Sequence, residues 1–359
     1  MRATIRDVAA KADVSIATVS HVLNGTRPIR QQTRQRVLAA IQELAYSQNQ
    51  AVRNLVRGTS TFLGLIISDV RNPFFPEITA AFQDQALAHG MDAMVLNTNY
   101  DSERTLNSVQ RLVGLQVPGV AILTSQIDPS VINMLAERRI AAVYLDLGTV
   151  DHAISNIVIG YEHGIAEALG YLTKLGHRHI AYVGGPPRLP SAQRRKKAFI
   201  DTARRLGIDP RWTIDSDFTV AGGYEASGKL LRRDVPTAVI AGNDLTAIGV
   251  LHRAYDARLR VPEDLSVIGF DDILFAKYTQ PALTTVALPR TEIGRVAFEA
   301  LWAMMPDPNL AGREFRVRTR LVVRQSTSPP QERALDSVAR RKNGKSADEL
   351  KSKKSVREL

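Results

Sequence analysis

The 359-residue chain has no cysteine. Disulfides, thiolate metal sites and cysteine nucleophiles are therefore excluded, and a reducing compartment such as the cytoplasm is expected. No apolar run approaches the roughly 18 residues of a membrane span. The chain opens on Met1-Arg2-Ala3-Thr4-Ile5-Arg6-Asp7, without the apolar segment of an export signal. Catalytic signatures are missing as well. No Gly-x-Gly-x-x-Gly follows a strand pattern, no serine elbow appears, and no cluster has metal-ligand spacing. His177 and His179 stand two apart without further ligands nearby, and packing roles are expected for them. Neither an enzyme nor a resident cofactor or metal is expected.

What the chain does have is positive charge, unevenly spread. The formal net charge is +11. Residues 1–60 hold nine Lys/Arg against three Asp/Glu, and residues 331–359 hold nine against five, so the long middle is close to neutral. A basic head on a neutral body points to a polyanion partner at that end. Hydrophobic residues make up 44% of the chain, enough for a large core beside a small module.

Thr4-Ile5-Arg6-Asp7 has the form of a capping box, so a helix is expected to begin there. Ile5, Val8, Ala9 and Ala12 recur at three- and four-residue spacing and form one apolar stripe before Asp13-Val14-Ser15 interrupts it. A second helix is expected from Ser15 to Asn24-Gly25, with Val19, Val22 and Leu23 inward. A third is expected to turn Val37, Leu38, Ile41 and Leu44 inward. Two short helices joined by a three-residue turn and backed by a third describe a helix-turn-helix. Its second helix would enter the major groove. Ile16, Ala17 and His21 then face base edges, while Ser15, Thr18, Ser20 and Asn24 suit phosphate oxygens, and Thr4 at the first helix cap joins the DNA-facing set.

Residues 61–328 alternate short apolar runs with amphipathic stretches. Strands are expected at Phe62–Ile67, Ala93–Asn97, Gly119–Leu123, Ala142–Leu145, Ile180–Val183, Ala238–Ala241 and Val267–Phe270. Helices are expected at Glu77–His89, Leu106–Leu115, Gly164–Leu175 and Ala192–Leu206. Repeated strand–helix units imply parallel sheets covered on both faces, and the length suits two of them. Ligands of such sheets bind beyond the carboxyl ends of the strands. That singles out Ser68-Asp69, Asn97-Thr98-Asn99, Asp146, Gly184-Gly185, Asp217, Asn243-Asp244 and Asp271-Asp272. After Ser326-Thr327-Ser328-Pro329-Pro330 the apolar periodicity fades, and a disordered basic tail is expected over 329–359.

The run Val14-Ser15-Ile16-Ala17-Thr18-Val19-Ser20-His21-Val22-Leu23-Asn24 closely resembles the lactose/galactose repressor (LacI/GalR) family. The likeness continues through Thr33-Arg34-Gln35-Arg36-Val37, Asn72-Pro73-Phe74-Phe75, Gly176-His177-Arg178-His179-Ile180, Gly269-Phe270-Asp271-Asp272 and Pro281-Ala282-Leu283-Thr284-Thr285-Val286, spanning essentially residues 4–328. It implies an α/β protein with a helix-turn-helix head over 1–48, a hinge helix and linker over 49–60, and a two-lobed sensor like the periplasmic sugar-binding proteins over 61–328.

Function follows by the same resemblance: a sequence-specific transcriptional repressor that binds pseudo-palindromic operator DNA as a homodimer, with a tetramer left open. Arg53 would face phosphate and Leu55 would wedge into the minor groove. A small-molecule effector, with a carbohydrate leading and a purine-type corepressor as alternative, would sit between the lobes against Asn72, Phe74, Phe75, Ser191, Arg195, Phe218, Asn243 and Asp271. A sugar-binding transport protein is the rival that the basic head argues against.

The chain departs from the family pattern at five positions that bear on function, one being Val52, where alanine is usual before Arg53. Asp13 stands where glycine is usual in the turn, Arg30 where serine caps the third helix, and His21 where arginine reads a base. Gly160 replaces a carboxylate that supports the pocket arginine, with Glu162 or His163 expected to substitute.

Overall fold

The computed structural model describes residues 3–24, 27–46, 60–124, 127–148, 150–231, 236–307 and 309–331. The chain divides into two compact units, Met1–Ser60 and Thr61–Leu359. The expected hinge with Arg53 and Leu55 and most of the expected basic tail lie outside the described residues.

The first unit holds helices α1 (Ile5–Lys11), α2 (Ile16–Asn24) and α3 (Gln31–Glu43). The capping box forms: Thr4 Oγ1 accepts the Asp7 amide at 3.4 Å while the Thr4 amide donates to Asp7 Oδ2 at 2.8 Å. Helix α1 ends because Asp13 adopts φ +50°. Its amide then bonds back to Ala10 and that of Val14 to Ala9, closing the last turn. A glycine takes this conformation without a Cβ penalty, and Asp13 does not. Ser15 Oγ accepts the Thr18 amide at 3.1 Å and starts α2. Helix α3 begins at Arg30 with no side-chain cap.

Val8, Ala9, Ala12, Val19, Val37 and Ala40 form the core of this unit, with Ile41 and Leu44 packed against it. Leu38 does not join them. It is 48% exposed, because α3 turns the Val37–Ala40–Ile41–Leu44 stripe inward and the residue next to Val37 falls about 100° off that stripe.

The second unit contains two six-stranded sheets. The first joins β1 (Phe62–Ile67), β2 (Asp92–Asn97), β3 (Gly119–Leu123), β4 (Ala141–Leu145), β5 (Ile154–Ile159) and β11 (Glu314–Val317) in the order β11-β5-β4-β3-β1-β2. Each of its pairings is parallel. The second joins β6 (Ile180–Val183), β7 (Thr213–Ile214), β8 (Ala238–Ala241), β9 (Ser266–Asp271), β10 (Thr284–Ala287) and β12 (Arg320–Val322) in the order β12-β10-β9-β8-β6-β7. There only β12 runs antiparallel to its neighbour. The two lobes thus repeat one topology, each with its strand order reversing beside the lobe's first strand.

Helices α4 (Phe74–Ala88), α5 (Ser102–Gly114), α6 (Pro129–Glu137) and α11 (Arg290–Met304) cover the first sheet, while α7 (Tyr161–Lys174), α8 (Pro190–Arg205), α9 (Val220–Leu230) and α10 (Asp244–Asp256) cover the second. Both faces being covered, β3 and β4 are buried along their whole length and read as unbroken apolar runs. The chain passes between lobes after β5, after β10 and between β11 and β12, so one lobe hangs from the other by three short segments. Among the described residues no helix is long and apolar enough to cross a membrane.

Candidate functional site

The carboxyl ends of the strands from both lobes face one cleft. Its lining includes Ser68 after β1, Tyr100 after β2, Asp146 after β4, Tyr161 after β5, Asn243 after β8 and Asp271 at the end of β9. Such strand ends beside a reversal of strand order are where open α/β sheets bind ligands. The structure brings all eight sequence-expected effector residues, Asn72, Phe74, Phe75, Ser191, Arg195, Phe218, Asn243 and Asp271, to this one cleft. Its free volume is about 50 Å³, room for one or two waters and too little for a six-membered ring.

Asn72 starts α4: its Oδ1 accepts the Phe74 amide at 3.0 Å, and Phe74 and Phe75 line the cleft with their rings edge to face, 5.1 Å apart. Both phenylalanines belong to the first-lobe core as well as to the cleft wall. From the second lobe, Pro190 opens α8 and Arg195 lies about one and a half turns on. Although Arg195 sits in the basic run Arg194-Arg195-Lys196-Lys197, its side chain is buried. It reaches Asp271 Oδ1 at 3.3 Å and donates to the Gly242 carbonyl. Its guanidinium lies 4.4 Å from the Phe270 ring centroid, 4.9 Å from Tyr161 and 5.5 Å from Phe218, so aromatic rings fix its plane.

Asp271 is held at φ +110°, outside the range an L residue ordinarily takes, and such strain costs on the order of 1–3 kcal/mol. Burial pushes its carboxyl up to about 6, against the pull of Arg195 and Arg290. Phe218, also left-handed at φ +66°, closes one wall. Its carbonyl accepts the Asn243 amide at 3.0 Å, while Asn243 Oδ1 caps α10 by accepting the Thr246 amide at 2.8 Å. Asn243 therefore keeps one side-chain N–H for anything else. Two polar atoms at the heart of the cleft, Arg195 Nε and Asp271 Oδ1, are buried without a hydrogen-bond partner.

Tyr100, Asp146 and Tyr161 are among the lining residues that escape the sequence-based set of effector contacts. Tyr100 follows Asn99, both at positive φ, and burial pushes its hydroxyl up to about 12. Asp146 accepts the Ile159 amide at 2.9 Å and the Tyr161 hydroxyl at 2.6 Å, and burial raises its carboxyl in spite of those bonds. Arg194 meets it from the second lobe at 3.2 Å. The carboxylate within ion-pair distance of Arg195 is Asp271. Glu162 and His163 do not substitute: both are exposed on α7, where His163 pairs with Glu167 at 3.3 Å. They point about 100° and 200° around the helix from Tyr161, which faces inward.

His177 is buried, with Nδ1 at 2.9 Å from Thr237 Oγ1 and Nε2 at 2.9 Å from the Ser328 carbonyl, and burial lowers its pKa. It is a packing residue. Among the described residues no group of three or more His, Asp or Glu side chains could hold a metal.

On the head, Ile16 is 45% exposed and Ala17 is exposed beside it, while Thr18, Ser20 and His21 are half-buried. Thr4 and Ser15 stand at the starts of α1 and α2, and both are exposed. Asn24 ends α2, and its side chain lies outside the described residues. The outward face of α2 thus presents two apolar side chains, Ile16 and Ala17, beside the polar Thr18, Ser20 and His21.

Residues 4–49 match the model of bacterial regulatory proteins of the lacI family, and residues 169–327 match that of the periplasmic binding protein-like domain. The catabolite control protein A of Priestia megaterium is 32% identical over 331 residues, 91% of this chain and all of that protein. The HTH-type transcriptional repressor PurR of Photobacterium profundum is 32% identical over 328 residues, 90% of this chain and 98% of that protein. Among solved structures, a lac repressor dimer bound to operator and the anti-inducer ONPF superposes with TM-score 0.81 at 27% identity, covering 91% of this chain and all of that one. A complex of the transcriptional regulator CelR with cellobiose gives 0.68 at 28% identity, covering 90% and 100%. With the two-lobed cleft and the exposed face of α2 in one chain, these likenesses make the protein a member of the lacI family of transcriptional regulators.

Proposed function

We propose that the protein is a repressor that binds pseudo-palindromic operator DNA as a homodimer and answers to a small, uncharged, polyhydroxylated effector, a carbohydrate, held between its lobes. The head would span 1–48, the hinge 49–60 and the sensor 61–328. Ile16, Ala17 and His21 would read base edges, and Thr4, Ser15, Thr18, Ser20, Asn24 and Arg53 would meet phosphates. Leu55 would enter the minor groove.

The observation that carries the effector class is the buried Arg195–Asp271 pair between aromatic walls, in which Arg195 Nε has no hydrogen-bond partner and Asp271 Oδ1 has only the 3.3 Å ion pair with Arg195. An arginine fork next to a carboxylate matches neighbouring hydroxyls, and buried polar atoms left unpaired are costly until a ligand satisfies them. The charge balance adds a second constraint. Asp146 and Asp271 line the cleft with Arg195, and among the described residues no lysine does. A phosphate or carboxylate would meet two acids and one arginine already paired. Since the cleft holds about 50 Å³, admitting a sugar ring requires the lobes to part, which alters the spacing of the segments that lead to the heads. The cellobiose complex of a relative supports this class.

A purine base is the second reading, favoured by the flat aromatic walls and by the PurR relatives. Calorimetry with neutral mono- and disaccharides, their phosphates, and hypoxanthine and guanine separates the two. Gel shifts on genomic fragments test the regulator itself: one or a few palindromic targets are expected, and equal affinity for every duplex overturns it.

A further inference from the structure

We propose that Arg290 is a positioning residue that ties Asp271 of the second lobe to helix α4 of the first and thereby sets the angle between the lobes. Arg290 is the first residue of α11, three residues after β10 ends, on one of the three segments that cross between lobes. Its side chain is only 11% exposed. On one side Nε lies 3.0 Å from Glu77 Oε2 in the first turn of α4. On the other, Nη1 donates to the backbone carbonyl of Asp271 at the end of β9.

The two partners differ in how freely they can move. Helices α4 and α11 form one block: a Cβ on Gly294 would stand 2.3 Å from the Ile78 carbonyl, and Phe82 meets Phe298 with ring centroids 5.9 Å apart. Glu77 and Arg290 therefore travel together in any rotation of the lobes. The bond from Arg290 to Asp271 is the one that must stretch or break.

Asp271 is in consequence gripped from both lobes. Its carboxylate faces Arg195 of α8 in its own lobe, and its carbonyl is held by Arg290 from the other. The Phe74 that begins α4 lies three residues before Glu77, so a chain of contacts runs from that helix through Glu77, Arg290 and Asp271 to Arg195. Helix stability does not call for an arginine here. A cation at a helix N-terminus opposes the helix dipole, and α11 has no side-chain cap to offset it.

The absence of cysteine makes the test direct. Spin labels at Gln110→Cys on α5 and Arg204→Cys on α8, both exposed, report the distance between lobes in the full chain by pulsed electron resonance. Single-label samples identify distances between copies. Arg290→Met is expected to lengthen and broaden the inter-lobe distribution with a thermal midpoint close to that of the parent, and Arg290→Lys to restore part of it. The control Arg316→Gln, which removes an exposed pair with Glu314, is expected to leave the distribution in place. A distribution for Arg290→Met that superposes on the parent overturns the proposal. Should that variant fail to fold, Glu77→Gln, at a half-exposed residue, is read the same way: a longer or broader distribution supports the tie and an unchanged one overturns it.

Discussion

Arg195 and Asp271 approach to 3.3 Å with both side chains less than a tenth exposed, yet Asp271 resists ionisation more than an aspartate in water does. Burial outweighs the arginine at this carboxyl, whereas Arg195 stays charged, its proton held more firmly than in water by the neighbouring acid in spite of burial. The pair is therefore poised for a ligand to complete it.

A pH dependence of stability follows. The Asp271 carboxyl rises from 3.8 to about 6 on folding, so between those values the folded state binds the proton that the unfolded state has released. Its contribution is fully present below pH 4 and is lost as pH rises through about 6. Denaturant unfolding of the parent and Asp271→Asn across pH 4 to 8 is expected to show the difference shifting by roughly 3 kcal/mol in favour of the variant as pH rises. A difference independent of pH would show that Asp271 ionises at its ordinary value.

Gly185 carries a prediction about the cleft alone. A Cβ there would lie 2.2 Å from the Phe218 ring, so Gly185→Ala must drive that ring out of its place beside Leu189 and Ala192. Operator affinity without effector is expected to hold within about a factor of two, since distant sites couple weakly. The response to effector is expected to be lost. Gel shifts with and without ligand measure both quantities, and an intact response would remove Phe218 from the effector wall.

Much of this architecture is legible in the sequence, and the gaps have physical causes. The head is readable because its three helices bury one stripe each and its caps are local, within four residues. The strand β5 is not, because Ser155 and Asn156 break the apolar run. Both are buried, and their side-chain oxygens accept backbone amides, Ser155 from Arg313 far along the chain and Asn156 from Leu147 on the connection after β4. The cleft residues carried by the family motifs converge as the resemblance implies. Tyr100 and Asp146 follow strand ends that the sequence does flag, but nothing local says that those ends meet across two lobes. Tyr161 follows the strand that the sequence hides. The ion pair of Arg290 with Glu77 spans more than half the chain and has no local signature.

Asp13 offers a stabilising change. Its φ of +50° costs an L residue on the order of 1 kcal/mol that glycine avoids. Glycine's extra freedom in the unfolded chain offsets part of that gain. Asp13→Gly is expected to raise the stability of an isolated head by a few tenths of a kcal/mol to about 1 kcal/mol, read by circular dichroism during thermal melting. Loss of stability would mean that the aspartate side chain contributes more to the turn than its backbone costs.

The two DNA-facing roles separate in a pair of variants. His21 is half-buried on α2, one turn beyond the exposed Ala17, and cannot make the two-pronged guanine contact of an arginine. His21→Ala is expected to lower affinity for the best operator by about 5- to 150-fold, the span of 1–3 kcal/mol, while weakening mismatched sites less. Leu55, proposed above as a minor-groove wedge, carries no charge, so Leu55→Ala is expected to lower specific binding sharply while non-specific binding and its salt slope stay as they were. Titrations on specific and random duplexes at several salt concentrations measure both. If each variant weakened every duplex alike, base reading would have to be reassigned to other residues, because a loss shared by all sequences reports only contacts to the phosphate backbone.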